Sequence, residues 1–421
     1  MSLLVQKFGG TSLGSLERIQ QAADTIIRTR KEGHQVIVVV SAMGHETDRL
    51  IELAKSIALQ PNSREYAALL ATGEQISAAL LSLCLENKGH HARSFTGGQA
   101  GILTDSQYEK ARIIRIDETP IRQALSEDII PVVTGFQGVD QAGHITTLGR
   151  GGSDTTAVAL AACLSADECQ IFTDVDGVYT ADPRIEPTAR LLESMTAEEM
   201  LELSSLGSKV LQVRSVEFAE KYNVPLRVLS SFTLNPGTKI RTDYSDDSSK
   251  HMENPIISGI TYSRQEAQLT LSNVPDTPGI AADLLADISN QSIEVDMIVQ
   301  NVREKGKADF TFTVHRDDYL KTMEILDKTI STFASKIQLT GNNHIAKLSL
   351  VGVGMRNHAG VAQKMFEALA AEKINISLIS TSEIKISVVI DEEHIERGVR
   401  ALHAAFRLGS ADISLGRSRK S

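Results

Sequence analysis

Cysteine is scarce: Cys84, Cys163 and Cys169 are the only three in 421 residues. They are too few and too apolar in setting for a disulfide framework or a zinc cluster, and read as buried thiols in a reducing compartment. Positive charge is also short, with 43 Lys and Arg against 53 Asp and Glu, a formal net charge of −10. That balance excludes broad nucleic-acid binding, which needs a basic face, so any anion site must be built locally. No G-x-x-x-x-G-K-[ST] run occurs, which excludes a P-loop. Residues 1–15 lack the basic start and apolar core of a signal peptide. No apolar run approaches membrane-spanning length on a reading of the sequence. A cytoplasmic protein with no membrane and no nucleic-acid partner is expected. At 42% apolar and 23% charged residues the chain is of globular composition, and its length predicts two or three domains.

What is present begins with Leu3-Leu4-Val5-Gln6-Lys7-Phe8-Gly9-Gly10-Thr11-Ser12, followed by the helical run Ser15–Arg30. The apolar run reads as a buried strand that delivers a lysine and two glycines to the start of a helix. Glycine admits a ligand close to the backbone, and free amides at a helix N-terminus suit a phosphate. An ordinary strand–turn–helix with a surface lysine explains this stretch alone equally well. Gln35–Val40 is a second apolar strand, ending at Ser41, and His45–Asp48 with Thr47 reads as a polar loop. Arg64–Asn87 is helical, with Gly73-Glu74-Gln75 interrupting it. Glu74 either faces something close to that glycine or is simply solvated.

Ile129–Thr134 is another apolar strand, and Thr146–Thr156 is a glycine turn feeding the helix Ala157–Ala166. The turn carries Arg150, Gly151, Gly152, Ser153 and Asp154. Arginine offers a planar fork for carboxylate or phosphate, whereas Ser153 and Asp154 taken singly read as helix caps. The strand Cys169–Thr173 leads into Asp174–Arg184, where Tyr179 suits a nucleobase or ribose contact. A tight Asp-Gly turn is the plainer reading there. A calcium loop is excluded, because the third ligand position and the terminal Glu are missing. Apolar strands alternating with helices predict an α/β fold, an open and largely parallel sheet sandwiched by helices. Ligands in such sheets sit beyond the carboxyl ends of the strands, which places Lys7, Gly9, Gly10 and Ser41 at one crevice.

A polar run, Thr242–Glu253, separates this part from a duplicated one. Leu269–Leu271, the turn to Gly279, the helix Ile280–Ser289 and the strand Ile293–Val299 recur as Leu348–Leu350, Gly360, Val361–Glu372 and Ile374–Ile379. Each copy adds a strand, a helix and a short extended piece, the βαββαβ order of ferredoxin-like modules.

Taken together, the chain resembles the aspartate kinases of the amino-acid kinase family, which carry two C-terminal ACT modules. The resemblance rests on Lys7–Ser12, Thr146–Thr156 and Phe172–Arg184 in order and spacing, with the paired modules behind them, and is nearest the lysine- and threonine-sensitive bacterial type. It implies a catalytic domain over 1–243, a linker over 244–255, one ACT module over 264–340 and a second over 256–263 and 341–421. The implied reaction moves the ATP γ-phosphoryl group to the side-chain carboxylate of L-aspartate, with Mg2+ carried on the phosphates. It is the first step toward lysine, threonine, methionine and diaminopimelate.

Matching family positions imply that Lys7, Gly9, Gly10, Arg150 and Asp154 are catalytic. Ser41, Thr47, Glu74 and Arg150 through Asp154 are then aspartate contacts. Lys7, Phe8, Gly9, Gly10, Thr173, Asp174, Tyr179, Arg184 and Lys209 are nucleotide contacts, with the Gly9 and Gly10 amides on phosphoryl oxygens. Effector contacts for lysine or threonine are implied at Asp276, Gly279, Ala281, Glu294, Asp296 and Gln300 in the first module. In the second they are Asn375, Ile376, Ser380, Thr381, Ser382 and Glu383. Glu294 and Arg303 depart from the residues usual there. A homo-oligomer is implied, or an α2β2 assembly using an internal start near Met252. Other amino-acid kinases, acting on acetylglutamate, glutamate, carbamate or UMP, and a catalytically silent amino-acid sensor are the alternatives. The paired modules and the Arg150–Asp154 segment count against the former, and intact Lys7, Glu74, Arg150 and Asp154 against the latter.

Overall fold

The computed structural model describes residues 2–206, 210–242, 257–291, 293–303, 306–331, 333, 337–353, 355 and 360–409. Lys209, the expected linker 244–255 with Met252, and the last extended piece of the second repeat lie outside them. The chain forms two compact units, Met1–Tyr179 with Leu191–Met252, and Thr180–Arg190 with Glu253–Ser421.

The first unit opens with β1 (Leu3–Phe8), α1 (Leu16–Lys31), β2 (Gln35–Val40), α2 (Glu46–Ile57) and α3 (Ser63–Asn87). It continues through β3 (Ala92–Phe95), β4 (Ile102–Thr104), β5 (Ile113–Ile116), α4 (Thr119–Ser126), β6 (Ile130–Thr134), β7 (Gln137–Val139) and β8 (Ile145–Thr147). Then come α5 (Gly152–Leu164), β9 (Glu168–Thr173), β10 (Ser194–Thr196), α6 (Ala197–Ser205), α7 (Val213–Lys221), β11 (Leu226–Ser230) and β12 (Thr238–Arg241). Eight strands form one sheet in the order β10-β12-β11-β9-β1-β2-β6-β3, parallel except where β12 meets β11. A smaller sheet has the order β5-β4-β7-β8. The central strands β1 and β2 are buried from their second residue onward, which is why they read as unbroken apolar runs. Ser15 caps α1 by accepting the Arg18 N–H.

Four expectations change here. Helix α3 runs unbroken for 25 residues through Gly73 and Glu74. A Cβ on Gly73 would lie 2.8 Å from Ala42 Cβ, so the glycine lets the helix lie against the turn after β2. That contact offsets the roughly 1 kcal/mol a mid-helix glycine costs relative to alanine. The same helix is long and apolar enough to cross a membrane by length and composition alone, contrary to the reading of the sequence. It packs against α1, α2, β3, β6 and β8, as a core helix does. Glu46 already begins α2, so Thr47 lies in a helical first turn and not in a loop. Helix α5 starts at Gly152, five residues before the Ala-rich run, and within it Thr155 and Thr156 bond their hydroxyls back to the Gly151 and Gly152 carbonyls.

The second unit contains β13 (Gly259–Pro275), α8 (Ile280–Asn290), β14 (Val295–Arg303), β15 (Lys307–His315), α9 (Tyr319–Ser331) and β16 (Gln338–Val351). It ends with α10 (Val361–Ala371), β17 (Leu378–Thr381), β18 (Lys385–Asp391) and α11 (Ile395–Ala405). One antiparallel sheet runs β14-β15-β13-β16-β18-β17. The expected short strands Leu269–Leu271 and Leu348–Leu350 are parts of strands of 17 and 14 residues. Residues Gly259–Ser263 pair only with the end of β16, whereas Leu269 and Leu271 pair with β15 as well. One strand therefore serves both repeats. Ile260 packs with Leu348, Met365 and Val399, and Leu269 packs with Leu284, Ile288 and Phe312. The repeats match at their first helices, each of 11 residues and each entered through a left-handed glycine, Gly279 at φ 95° and Gly360 at φ 102°. Ile293 and Ile374 are buried in matching positions, but each precedes its strand and does not begin it.

Lys347 is buried on β16 and pairs with Glu266 at 3.2 Å and with Asp296. Replacing one member of such a pair strands the others. Lys347→Met is expected to lower the unfolding free energy of this unit by about 3 kcal/mol. Urea denaturation followed by a probe in the second unit would measure it.

Candidate active site

Strands β1, β2, β6, β9 and β11 end level with one another: Phe8 faces Val40 and Phe172, Val40 faces Thr134, and Thr173 faces Ser230. The residues just beyond continue the ladder. The N–H groups of Gly9, Ser41, Gly135 and Ser231 donate to Phe172, Phe8, Val40 and Thr173 carbonyls at 3.1, 3.1, 2.9 and 2.8 Å. The topology thus gathers five turns along one edge, the edge where open α/β sheets bind ligands. The Gly9 N–H, expected at a phosphoryl oxygen, is held in this ladder by the Phe172 carbonyl. Gly10 packs backbone to backbone on the turn after β2. A Cβ there would lie 3.0 Å from the Ala42 carbonyl oxygen. A 3-10 turn, Thr11–Leu13, separates the glycines from α1, so the helix does not begin directly at them.

Lys7, near the end of β1, is 9% exposed and its Nζ lies 2.6 Å from Asp154 Oδ1. Asp154 sits in the first turn of α5, where the helix dipole favours a carboxylate. The amine is 3.5 Å from where a Gly9 side chain would begin. Glu74 reaches the same edge from α3. Its Oε1 accepts the Ala42 N–H at 3.1 Å, and its buried Oε2 has no partner among the described residues. Burial pushes this carboxyl up to about 8 despite backbone hydrogen bonds that lower it. Ser153 covers the turn after β6 so closely that a Gly135 Cβ would lie 2.7 Å from its Oγ. Arg150 stands exposed between Gly149 and Gly151, both in left-handed conformations at φ 79° and 69°. Ser41 and Thr47 are partly exposed near the turn that binds Glu74.

On the other side of β1, the Thr173 hydroxyl donates to Asp174 at 3.2 Å. Asp176 accepts from the Thr233 hydroxyl at 2.7 Å and the Tyr179 hydroxyl at 3.4 Å, which ties the turn after β9 to the turn after β11. The Phe8 ring is in the core, stacked on Phe172 at 4.7 Å, so only its backbone reaches the edge of the sheet. Arg184 falls in the second unit, where its guanidinium binds Asp182 at 2.7 Å. Ser231 is a residue the sequence did not single out. Its hydroxyl donates to Ser12 Oγ at 2.5 Å, and Ser12 donates to the Phe172 carbonyl at 3.3 Å. The available signal was its place directly after an apolar strand, the same place Ser41 holds after β2.

In the second unit Asp276 is exposed before α8, with its N–H on the Gly306 carbonyl at 2.9 Å, and Gly279 and Ala281 form the start of that helix. Glu294, Asp296 and Gln300 lie on or beside the edge strand β14. Asn375 and Ile376 precede the opposite edge strand β17, which carries Ser380 and Thr381. Ser382 and Glu383 turn back from it toward β18. Asp296 is already bound to Lys347, and Arg303 to Asp309.

The model of the amino acid kinase family matches residues 2–230, and models of the ACT domain match 269–331 and 348–406. The chain is 60% identical to an aspartokinase of Pseudomonas aeruginosa over 97% of this chain and 98% of that protein. The crystal structure of an aspartate kinase from Synechocystis is 42% identical over 96% of this chain and 70% of that one, with a TM-score of 0.54. E. coli aspartokinase III in complex with aspartate and ADP superposes with a TM-score of 0.80 over 96% of this chain and 99% of that one. At 23% identity that last likeness shows the fold. With a kinase domain followed by two ACT domains and this degree of identity along nearly its whole length, the chain belongs to the aspartate kinases of the amino acid kinase family.

Proposed function

We propose that the chain transfers the γ-phosphoryl group of ATP to the side-chain carboxylate of L-aspartate, giving 4-phospho-L-aspartate. The observation that carries this is the buried Lys7–Asp154 pair beside a buried carboxyl, Glu74, with one oxygen open, all at the carboxyl edge of the sheet. The attacking carboxylate is already an anion at neutral pH, so no general base is needed. The obstacle is repulsion: two unit charges 4 Å apart at an effective dielectric of 20 oppose each other by about 4 kcal/mol. An ammonium between them reverses that sign, and Lys7 is placed to supply it. Asp154 holds the ammonium at the edge until phosphate oxygens compete for it. Arg150 takes the α-carboxylate in its fork and Glu74 the α-ammonium, with Ser41, Thr47 and Ser153 as hydrogen-bond partners and Gly151 and Gly152 giving close backbone approach.

Thr173, Asp174 and Tyr179 meet the nucleotide, with Gly10, Arg184 and Lys209 assigned by family position. Magnesium travels on the nucleotide phosphates and water.

Lysine, threonine or both act as effectors at the ACT modules, through the edge-strand residues named above, in a homo-oligomer or an α2β2 assembly. The product feeds lysine, threonine, methionine and diaminopimelate formation in the cytoplasm. One experiment tests the whole reading: ADP release followed by a coupled assay, with aspartate, glutamate, acetylglutamate, carbamate and UMP each offered with ATP. Aspartate alone is expected to give product, and lysine and threonine, singly and together, to lower its rate. No turnover with aspartate overturns the activity, and indifference to both amino acids overturns the regulation.

A further inference from the structure

Arg214, in the first turn of α7, has so far had no part in the site. Its guanidinium donates through Nη1 to the Leu148 carbonyl at 2.9 Å and through Nη2 to the Ala111 carbonyl at 3.1 Å. A cation at a helix N-terminus is unfavourable, and burial together with the neighbouring Arg112 pulls the Arg214 pKa down. A lysine could not replace the group, since only a planar fork reaches two carbonyls on separate segments.

Those two segments flank Arg150. Leu148 leads into the turn Gly149–Gly151, and Ala111 closes a loop whose own N–H is bonded to the Thr147 carbonyl at 2.8 Å. A Cβ on Gly149 would touch that loop, 3.6 Å from the Glu109 carbonyl oxygen. Gln212 closes the other flank: a Cβ on Gly151 would fall 1.9 Å from Gln212 Cγ. The Arg150 side chain is exposed, so what the fold fixes is the point it springs from, and that backbone turn is clamped from the start of α7.

We infer that Arg214 is a positioning residue for Arg150, fixing the turn from which the α-carboxylate of an acidic amino-acid substrate is gripped without touching that substrate. The inference rests on the assignment of Arg150 to the α-carboxylate, and the two are separable by steady-state kinetics of four full-length variants. In Arg214→Met the KM for aspartate is expected to rise about tenfold while the KM for ATP stays within about twofold. Arg214→Lys, able to reach one carbonyl, recovers part of the loss. The Arg150→Ala variant raises the aspartate KM further, and adding Arg214→Met to it changes that KM little, because the positioned group is gone. An unchanged aspartate KM in Arg150→Ala overturns the assignment of Arg150 and the inference with it. A raised KM in Arg150→Ala with none in Arg214→Met overturns the positioning role alone. So does a parallel rise in both substrates' KM that tracks a lowered melting temperature, which marks general loosening.

Discussion

Lys7→Ala is expected to lower kcat by about 10³–10⁵-fold, the range for removing a cation from a transferring phosphoryl group. The size follows from where the ammonium sits. In water a single charge pair at 4 Å is worth about 1 kcal/mol, whereas at a partly desolvated edge the same pair is worth about four times that. Lys7 has only 11% of its side chain exposed, so no solvent cation or water substitutes for it cheaply. Removing it also leaves Asp154 without its partner in a site where the aspartate side chain is 10% exposed, at a stability cost of about 3 kcal/mol. The lost rate must therefore be separated from lost fold. Circular dichroism and the melting temperature report the second, and single-turnover kinetics on the folded fraction report the first. Turnover near the parent's would remove Lys7 from the chemistry.

Glu74→Gln should split binding from stability in opposite directions. With its pKa at about 8, the Glu74 carboxyl keeps its proton at neutral pH in the free chain. A substrate ammonium favours the ionised form, so binding aspartate releases that proton. The aspartate KM is expected to fall about tenfold per pH unit as pH rises toward 8, then level off. In the glutamine variant this slope disappears, and the KM at pH 8 is about 10–100-fold higher for loss of a charged hydrogen bond. Stability runs the other way. The unfolded carboxyl titrates near 4.5 and the folded one near 8, so the folded chain holds a proton the unfolded chain has released. Stability therefore declines as pH rises between those values, by up to about 1.4 kcal/mol per unit. Glu74→Gln should melt higher than the parent at pH 8 and close to it at pH 5. Melting curves at the two pH values and calorimetry in buffers of different ionisation enthalpy check both halves.

The elements most legible in the sequence were those whose burial leaves one residue type possible. Gln35–Val40 is read with the same bounds in sequence and structure, since a strand covered on both faces admits little but Val and Ile. The helical run read from Ser15 to Arg30 matches α1, which Ser15 caps. What escaped depended on partners distant in the chain. Gly73 looks like a helix break until Ala42 is set against it, and Thr155 looks like loop until its hydroxyl is seen to bond within the helix. The shared strand β13 hides because its two halves face different cores, which breaks any single alternation. In the site, the glycine turns and Lys7 were visible as motifs, whereas the Ser12–Ser231 contact and the Arg214 clamp join segments 219 and 66 residues apart.

A crystal structure of the chain with aspartate and a non-hydrolysable ATP analogue bears most directly on the shared cleft. The expected complex has the aspartate side-chain carboxylate about 3.5 Å from the terminal phosphorus, Lys7 between them, and the α-ammonium on Glu74. Aspartate seated away from Lys7 and Glu74, with the phosphates on another edge of the sheet, would contradict it.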